Sequence, residues 1–229
     1  MNFYCITQRL LLKNKSDGDL TVELGTNCRN LLKRVEAWDL RTFLDFYESS
    51  FSRKQRVILF SKVYSFFGNI FFWGLIWLSL GIYGLLTKDY YLFILMTGGF
   101  QQSIIIHILV KHVIIKRNRP YIKLKEKGVK KQDELIKELD YGFPSGHVAF
   151  FLFFGVLFAF YWQSWIFLII VLLLNIIMGL SRLILGVHFP LDVVAGFLFG
   201  ALYILLYLGF TYQIWVDFYY LLGHLFYPF

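Results

Sequence analysis

Five apolar runs, each close to the length that crosses a bilayer, constrain this chain more than any other feature. A helix rises about 1.5 Å per residue, so roughly 20 apolar residues cover a hydrocarbon core of about 30 Å. The runs cover about Phe60 to Leu86, Tyr90 to Val110, Phe143 to Trp162, Trp165 to Val187, and Pro190 to Phe210. With 58% hydrophobic and only 17% charged residues, the chain is too apolar for a soluble domain of 229 residues. The expected fold is all-α: a polytopic membrane bundle of about five transmembrane helices. Backbone groups in hydrocarbon must be satisfied within each segment, which leaves helices as the economical solution here.

Three blocks follow from that pattern. Residues 1–59 are polar and basic, with ten Lys or Arg against seven Asp or Glu. From about Asn30 to Phe60, Leu31, Leu32, Val35, Trp38, Leu40, Phe43, Leu44, Phe46 and Tyr47 recur at helical spacing among charges. This predicts an amphipathic interfacial helix or two lying on the membrane surface. Residues 60–210 form the membrane domain. Residues 211–229 are aromatic, without Lys or Arg, and read as an interfacial tail. The chain turns polar soon after Met1, so no secretory signal is expected. Cys5 and Cys28 read as unpaired thiols. The net charge of +8 points to anionic headgroups or phosphate-bearing substrates, not to nucleic acid.

Within the spans, Gly98 and Gly99 predict close helix approach. Gln101 and Gln102 read as interhelical hydrogen-bonding groups, and His107 as a satisfied packing histidine. Residues 111–142 are the long polar loop, with ten Lys or Arg and five acids. Residues 130–139 of it suit a short amphipathic helix.

Alternating the spans places three polar clusters on one face. The first is Lys111-His112-Val113-Ile114-Ile115-Lys116-Arg117-Asn118-Arg119-Pro120. The second is Pro144-Ser145-Gly146-His147, where a helix start offers N–H groups to an anion and Gly146 permits close backbone approach. Ser145 adds a hydroxyl, and His147 a proton donor near neutrality. The third runs from Ser181-Arg182 to His188 and Asp192. Pro190 starts a new helix, so Asp192 lies in its first turn, where a carboxylate is favoured. From there it reaches one nitrogen of His188 and leaves the other to react, as in nucleophilic catalysis. Ionisable groups inside spans are costly and usually functional. The face holds many cations and two histidines but hardly any carboxylates. A divalent-metal site would need several hard oxygen ligands. No cofactor and no metal are expected, and metal-free phosphoryl transfer through a phosphohistidine fits.

These residues resemble the type 2 phosphatidic acid phosphatase superfamily, whose motifs are Lys-x6-Arg-Pro, Pro-Ser-Gly-His and Ser-Arg-x5-His-x3-Asp. The second is matched at residues 144–147, and the third at Ser181, Arg182, His188 and Asp192. The first is matched at Arg119-Pro120, but His112 stands seven residues before Arg119 and Lys111 one further out. Lys111, His112 and Lys116 are the candidates for that lysine's contact. The resemblance implies that His188 attacks phosphorus, Asp192 orients it, and His147 protonates the leaving oxygen and then activates water. It implies that Arg119, Arg182, Ser145 and the Gly146 N–H hold phosphate oxygens. The expected activity is hydrolysis of a lipid phosphate or pyrophosphate in a cell membrane. The alternative is a non-catalytic lipid-phosphate-binding or scaffold relative, against which the intact His147, His188 and Asp192 argue. Phosphatidate, phosphatidylglycerophosphate, undecaprenyl pyrophosphate and lipid A phosphates are all open as substrates. The side of the membrane is open too. The positive-inside rule puts the charge-rich face in the cytoplasm, whereas the family's habit is the opposite face.

Overall fold

The structure, a computed structural model, describes residues 18–132 and 141–226, and side chains within residues 30–132 and 141–223. All its regular elements among these are helical. In chain order they are α1 (Gly18–Tyr47), α2 (Gln55–Ser65), α3 (Ile70–Thr87), α4 (Tyr91–Ile108), the short α5 (Pro120–Lys123), α6 (Gly146–Tyr161), α7 (Trp165–Ile184), α8 (Pro190–Leu206) and α9 (Tyr212–Phe226). Cys5, the side chain of Cys28, and most of the amphipathic segment expected at 130–139 lie outside what is described.

Four helical stretches are long and apolar enough to cross a membrane: Ile70–Thr87, Tyr91–Ile114, Trp165–Ile184 and Pro190–Gly223. The fifth apolar helix, Gly146–Tyr161, is shorter and forms the centre of the bundle. Val148, Ala149, Phe153 and Leu157 on α6 are fully buried. It packs against α8 backbone to backbone. A Cβ placed at Gly196 would stand 2.8 Å from the Ser145 carbonyl oxygen, and one at Gly200 2.9 Å from that of Ala149. Only glycine at these positions lets the start of α6 lie this close to α8.

Three segments differ from the sequence reading. The first apolar run is not one helix. It divides at Phe66–Gly68, and Asn69 starts α3 by accepting a hydrogen bond from the Phe71 N–H at 2.9 Å. A side-chain oxygen at the N-cap replaces one of the helix's missing carbonyl acceptors, which is why the chain restarts there. The preceding α2 packs instead on α7, where the Tyr64 hydroxyl donates to the Leu174 carbonyl at 2.8 Å.

The last span does not end at residue 210. It passes through a π-turn at Tyr207–Thr211 into α9, which packs on α4. The Trp215 indole donates to Gln102 Oε1 at 3.0 Å, and Tyr207 donates to the Leu95 carbonyl at 2.7 Å. Interhelical bonds of this kind average ~0.6 kcal/mol in membranes, and with the aromatic contacts they hold the segment on the bundle. Gln102 is thus an interhelical partner.

The N-terminal amphipathic helix α1 does present an exposed apolar face, with Leu31 and Trp38 on it. One strip beside that face is not solvated. Asp39 and Phe43, four residues apart and so on one side, are fully buried. Phe43 packs edge-on against Phe189, ring centroids 5.2 Å apart. Lys123 and Glu36 pair at the rim, an exposed contact worth under about 1 kcal/mol.

Candidate active site

Helix α7 ends at Ile184, and Gly186 takes a left-handed turn at φ 71°, which glycine adopts without strain. The turn redirects Val187-His188-Phe189 across the end of the bundle before Pro190 opens α8. Asp192 sits in the first turn of α8, and its Oδ2 accepts the Phe189 N–H at 2.9 Å. That oxygen also faces His188 Nδ1 at 3.6 Å, slightly beyond hydrogen-bond length. The other His188 nitrogen, Nε2, faces Arg119 Nη1 at 3.5 Å. His188 and Asp192 are 1% and 0% exposed, so water does not compete for their contacts and charges here act with little screening.

The three polar clusters meet. The Ser145 N–H donates to the Asp192 carbonyl at 2.9 Å, joining the starts of α6 and α8. Arg119 Nη1 donates to the Val187 carbonyl at 3.3 Å, and the Gly142 N–H to the Arg117 carbonyl at 2.7 Å. Ser145 is buried, and its hydroxyl has no hydrogen-bond partner among the described residues. With Gly146 at the first position of α6, it presents the donors of a helix start to the site. His147, one residue on, lies against Gly68: a Cβ at Gly68 would come 2.9 Å from the His147 Cβ. Arg182, fully buried on α7, donates to the Ser65 hydroxyl on α2. Ser181 turns back on its own helix and donates to the Met178 carbonyl at 2.7 Å.

The first cluster begins on an irregular turn. Helix α4 continues as a π-turn over Leu109–Ile114. A π-turn takes one more residue per turn than an α-helix and is the usual way a helix absorbs a single insertion. This stretch contains both His112, seven residues before Arg119, and Lys111, one residue further out. Lys111 is half-buried, His112 stacks edge-on near Tyr141 at 6.1 Å, and Lys116 is exposed. His107, deeper in α4, is buried, meets the Tyr203 hydroxyl at 3.1 Å through Nδ1, and turns its other edge to Gly146.

Nothing in the sequence sets Arg117 and Asp39 apart from the charges around them. Arg117 Nη1 pairs with Asp192 Oδ1 at 2.7 Å, while Nη2 pairs with Asp39 on α1. Asp39 Oδ1 also accepts the Leu191 N–H at 2.8 Å. The guanidinium lies over the Phe189 ring, 4.5 Å from its centroid. Burial pushes the Asp39 carboxyl up, and the Arg117 charge and two hydrogen bonds pull it back only in part. Burial works against the Arg117 charge, but the carboxylates of Asp192 and Asp39 outweigh it and hold the guanidinium above its ordinary range. Ser65 gives no signal in the sequence either, because a serine in an apolar run is ordinary.

Against known proteins, the PAP2 superfamily model matches residues 89–215. No curated protein shows a significant match. A crystal structure described as the first transmembrane PAP2-type phosphatidylglycerolphosphate phosphatase, from Bacillus subtilis, superposes with a TM-score of 0.64. It has 23% identity, and the match covers 79% of this chain and 88% of that one. Aquifex aeolicus LpxE superposes with a TM-score of 0.52 at 21% identity, over 75% of this chain and 94% of that one. At these identities the likeness is one of fold.

Proposed function

The chain belongs to the PAP2 superfamily, and we propose that it hydrolyses a lipid phosphate or pyrophosphate monoester through a metal-independent phosphohistidine on His188. The observation that carries this reading is His188 itself. It is buried between a carboxylate facing Nδ1 and an arginine facing Nε2. Asp192 holds the proton on Nδ1 and leaves the Nε2 lone pair directed toward the cationic side, where a phosphate group binds. Nε2 attacks phosphorus and the bond to the lipid oxygen breaks. His147 gives that oxygen its proton. Water then attacks the phosphohistidine and loses its proton to His147, and inorganic phosphate leaves. Arg119, Arg182, the Ser145 hydroxyl, the Gly146 N–H and Lys111 hold the phosphate oxygens, whose charge grows in such transfers.

The nearby charge is supplied by guanidinium, ammonium and N–H donors, which suits an anion in place of a metal cage. The Bacillus relative is described as acting on phosphatidylglycerolphosphate, which makes that lipid one arm of the test. Phosphate release is measured over phosphatidate, phosphatidylglycerophosphate, undecaprenyl pyrophosphate and lipid A phosphates, with and without chelator. At least one lipid is turned over at a chelator-insensitive rate, and His188→Ala lowers it by on the order of 10³-fold or more. Undiminished turnover by His188→Ala, or silence on every lipid, overturns the reading.

A further inference from the structure

The N-terminal helix lies outside residues 89–215, the part that matches the family, yet one of its carboxylates reaches the groups behind the reacting histidine. Asp192, Arg117 and Asp39 form a row: carboxylate, guanidinium, carboxylate. Both acids are fully buried. Each is also fixed by a backbone N–H of the His188–Asp192 turn, Asp192 by Phe189 and Asp39 by Leu191. The row is therefore built into the turn that carries His188.

Its electrostatic consequence can be worked out by counting. Arg117 alone beside Asp192 would make a neutral pair. A carboxylate so neutralised gives His188 little support as the ring becomes cationic on attack. With Asp39 taking the far side of the guanidinium, the row carries one net negative charge, and Asp192 regains its field at Nδ1. We propose that Asp39, on the N-terminal helix, is a positioning residue for catalysis, which shares Arg117 and so keeps Asp192 anionic in effect toward His188.

This inference rests on the phosphohistidine reading above. The other charges bearing on His188 come from every side of it. Arg119 approaches Nε2, Arg182 lies at the end of α7 and His147 at the start of α6. Lys111 stands at the end of α4, and the Lys123–Glu36 pair lies beyond Phe189. Among these, Asp39 and Glu36 are the acids supplied by α1, and Glu36 is spent on an exposed lysine. Asp39 thus controls how much of Arg117 is left to oppose Asp192.

The test is the pH profile of kcat/KM for phosphate release from dioleoyl phosphatidate in detergent micelles. Orthovanadate binding, read as a thermal shift over the same pH range, is a second readout for a head group that phosphatidate does not represent. Asp39→Asn leaves Arg117 to neutralise Asp192. It is expected to lower kcat by on the order of tenfold and to move the acid limb to lower pH, because a histidine facing less negative charge gives up its proton more readily. KM stays within about twofold. Asp39→Glu, which keeps the charge, restores the limb. The double variant Asp39→Asn, Arg117→Gln removes both opposing charges and leaves an amide donor to Asp192, so it recovers much of kcat and returns the limb toward its original place. A purely structural Asp39 gives the opposite: both single losses persist or compound in the double variant, and the limb stays put throughout. Either that result or an unchanged profile in Asp39→Asn overturns the inference. His188→Ala separates the two readings. Retained activity there removes the phosphohistidine, whereas an inactive His188→Ala beside a normal Asp39→Asn removes only the role of Asp39.

Discussion

Substituting Gly142 by alanine tests how closely the loop before α6 governs the His188–Asp192 pair. Gly142 has no positive φ, so alanine meets no backbone penalty there, and the effect is steric. The added Cβ would stand 3.0 Å from Asp192 Oδ2, 3.3 Å from Arg119 Cγ and 3.6 Å from His188 Nδ1. It would thus enter between the two groups whose alignment the proposed reaction uses. The backbone cannot simply withdraw, because the Gly142 N–H is held by the Arg117 carbonyl at 2.7 Å. Ordinary contact begins near 3.4 Å, so Asp192 must yield by roughly 0.4 Å. A misplacement of 1 Å costs about 10²-fold in rate. Taken in proportion, 0.4 Å costs about six- to tenfold, or ~1.1–1.4 kcal/mol of barrier. The loss falls on kcat, since the contact with Arg119 is to a methylene that can rotate away. Steady-state phosphate release by purified Gly142→Ala, with its melting temperature as a control for folding, measures this. A kcat within twofold of the parent at unchanged Tm refutes the argument, as does a loss confined to KM.

The π-turn at Leu109–Ile114 predicts that Lys111 takes the place of the family's first lysine. Lys111→Ala lowers kcat/KM by on the order of tenfold or more and Lys116→Ala leaves it unchanged, both measured by phosphate release. For the side of the membrane, Lys127 is a better reporter than its neighbour Gly128, whose φ of 77° disfavours any other side chain. In a Cys5→Ser, Cys28→Ser background, Lys127→Cys is expected to react with an impermeant thiol reagent only after permeabilisation, as the positive-inside rule requires; labelling of intact cells refutes that placement.

The convergence of the three clusters was legible because their residues are ones that apolar spans do not otherwise carry. His147, His188 and Asp192 stand at the ends of hydrophobic runs and Arg119 in the loop just beyond one, and alternation of the spans then leaves them on one face. The break at Phe66–Gly68 was not legible to hydropathy, because phenylalanine fills the turn as readily as a helix. Its signal is Gly68-Asn69, a turn residue followed by a capping one. Asp39 was hidden for a different reason. It is one of seven acids in a charged segment, and helical periodicity does not say which charge turns inward until its partner is known. That partner, Arg117, sat in a run of basic residues where every member looked equally suited to phosphate or to topology. The course of residues 211–226 depended on Gln102 as a partner 113 positions before Trp215, a separation that local patterning does not reach.

The shortness of α6 bears on how deep the proposed site would lie. Its 16 residues span about 24 Å at 1.5 Å each, some 6 Å less than a typical hydrocarbon core. Enclosed by its neighbours, it has little lipid to match and incurs no mismatch penalty of its own. With its far end level with one edge of the core, the Ser145–Gly146 end stops short of the other. The phosphate cradle proposed above would then lie in a dimple beneath the headgroup plane. A lipid presenting its phosphate there would have to sink by about one helical turn or draw the surrounding leaflet inward, which would make membrane thickness a variable of the proposed reaction alongside substrate concentration.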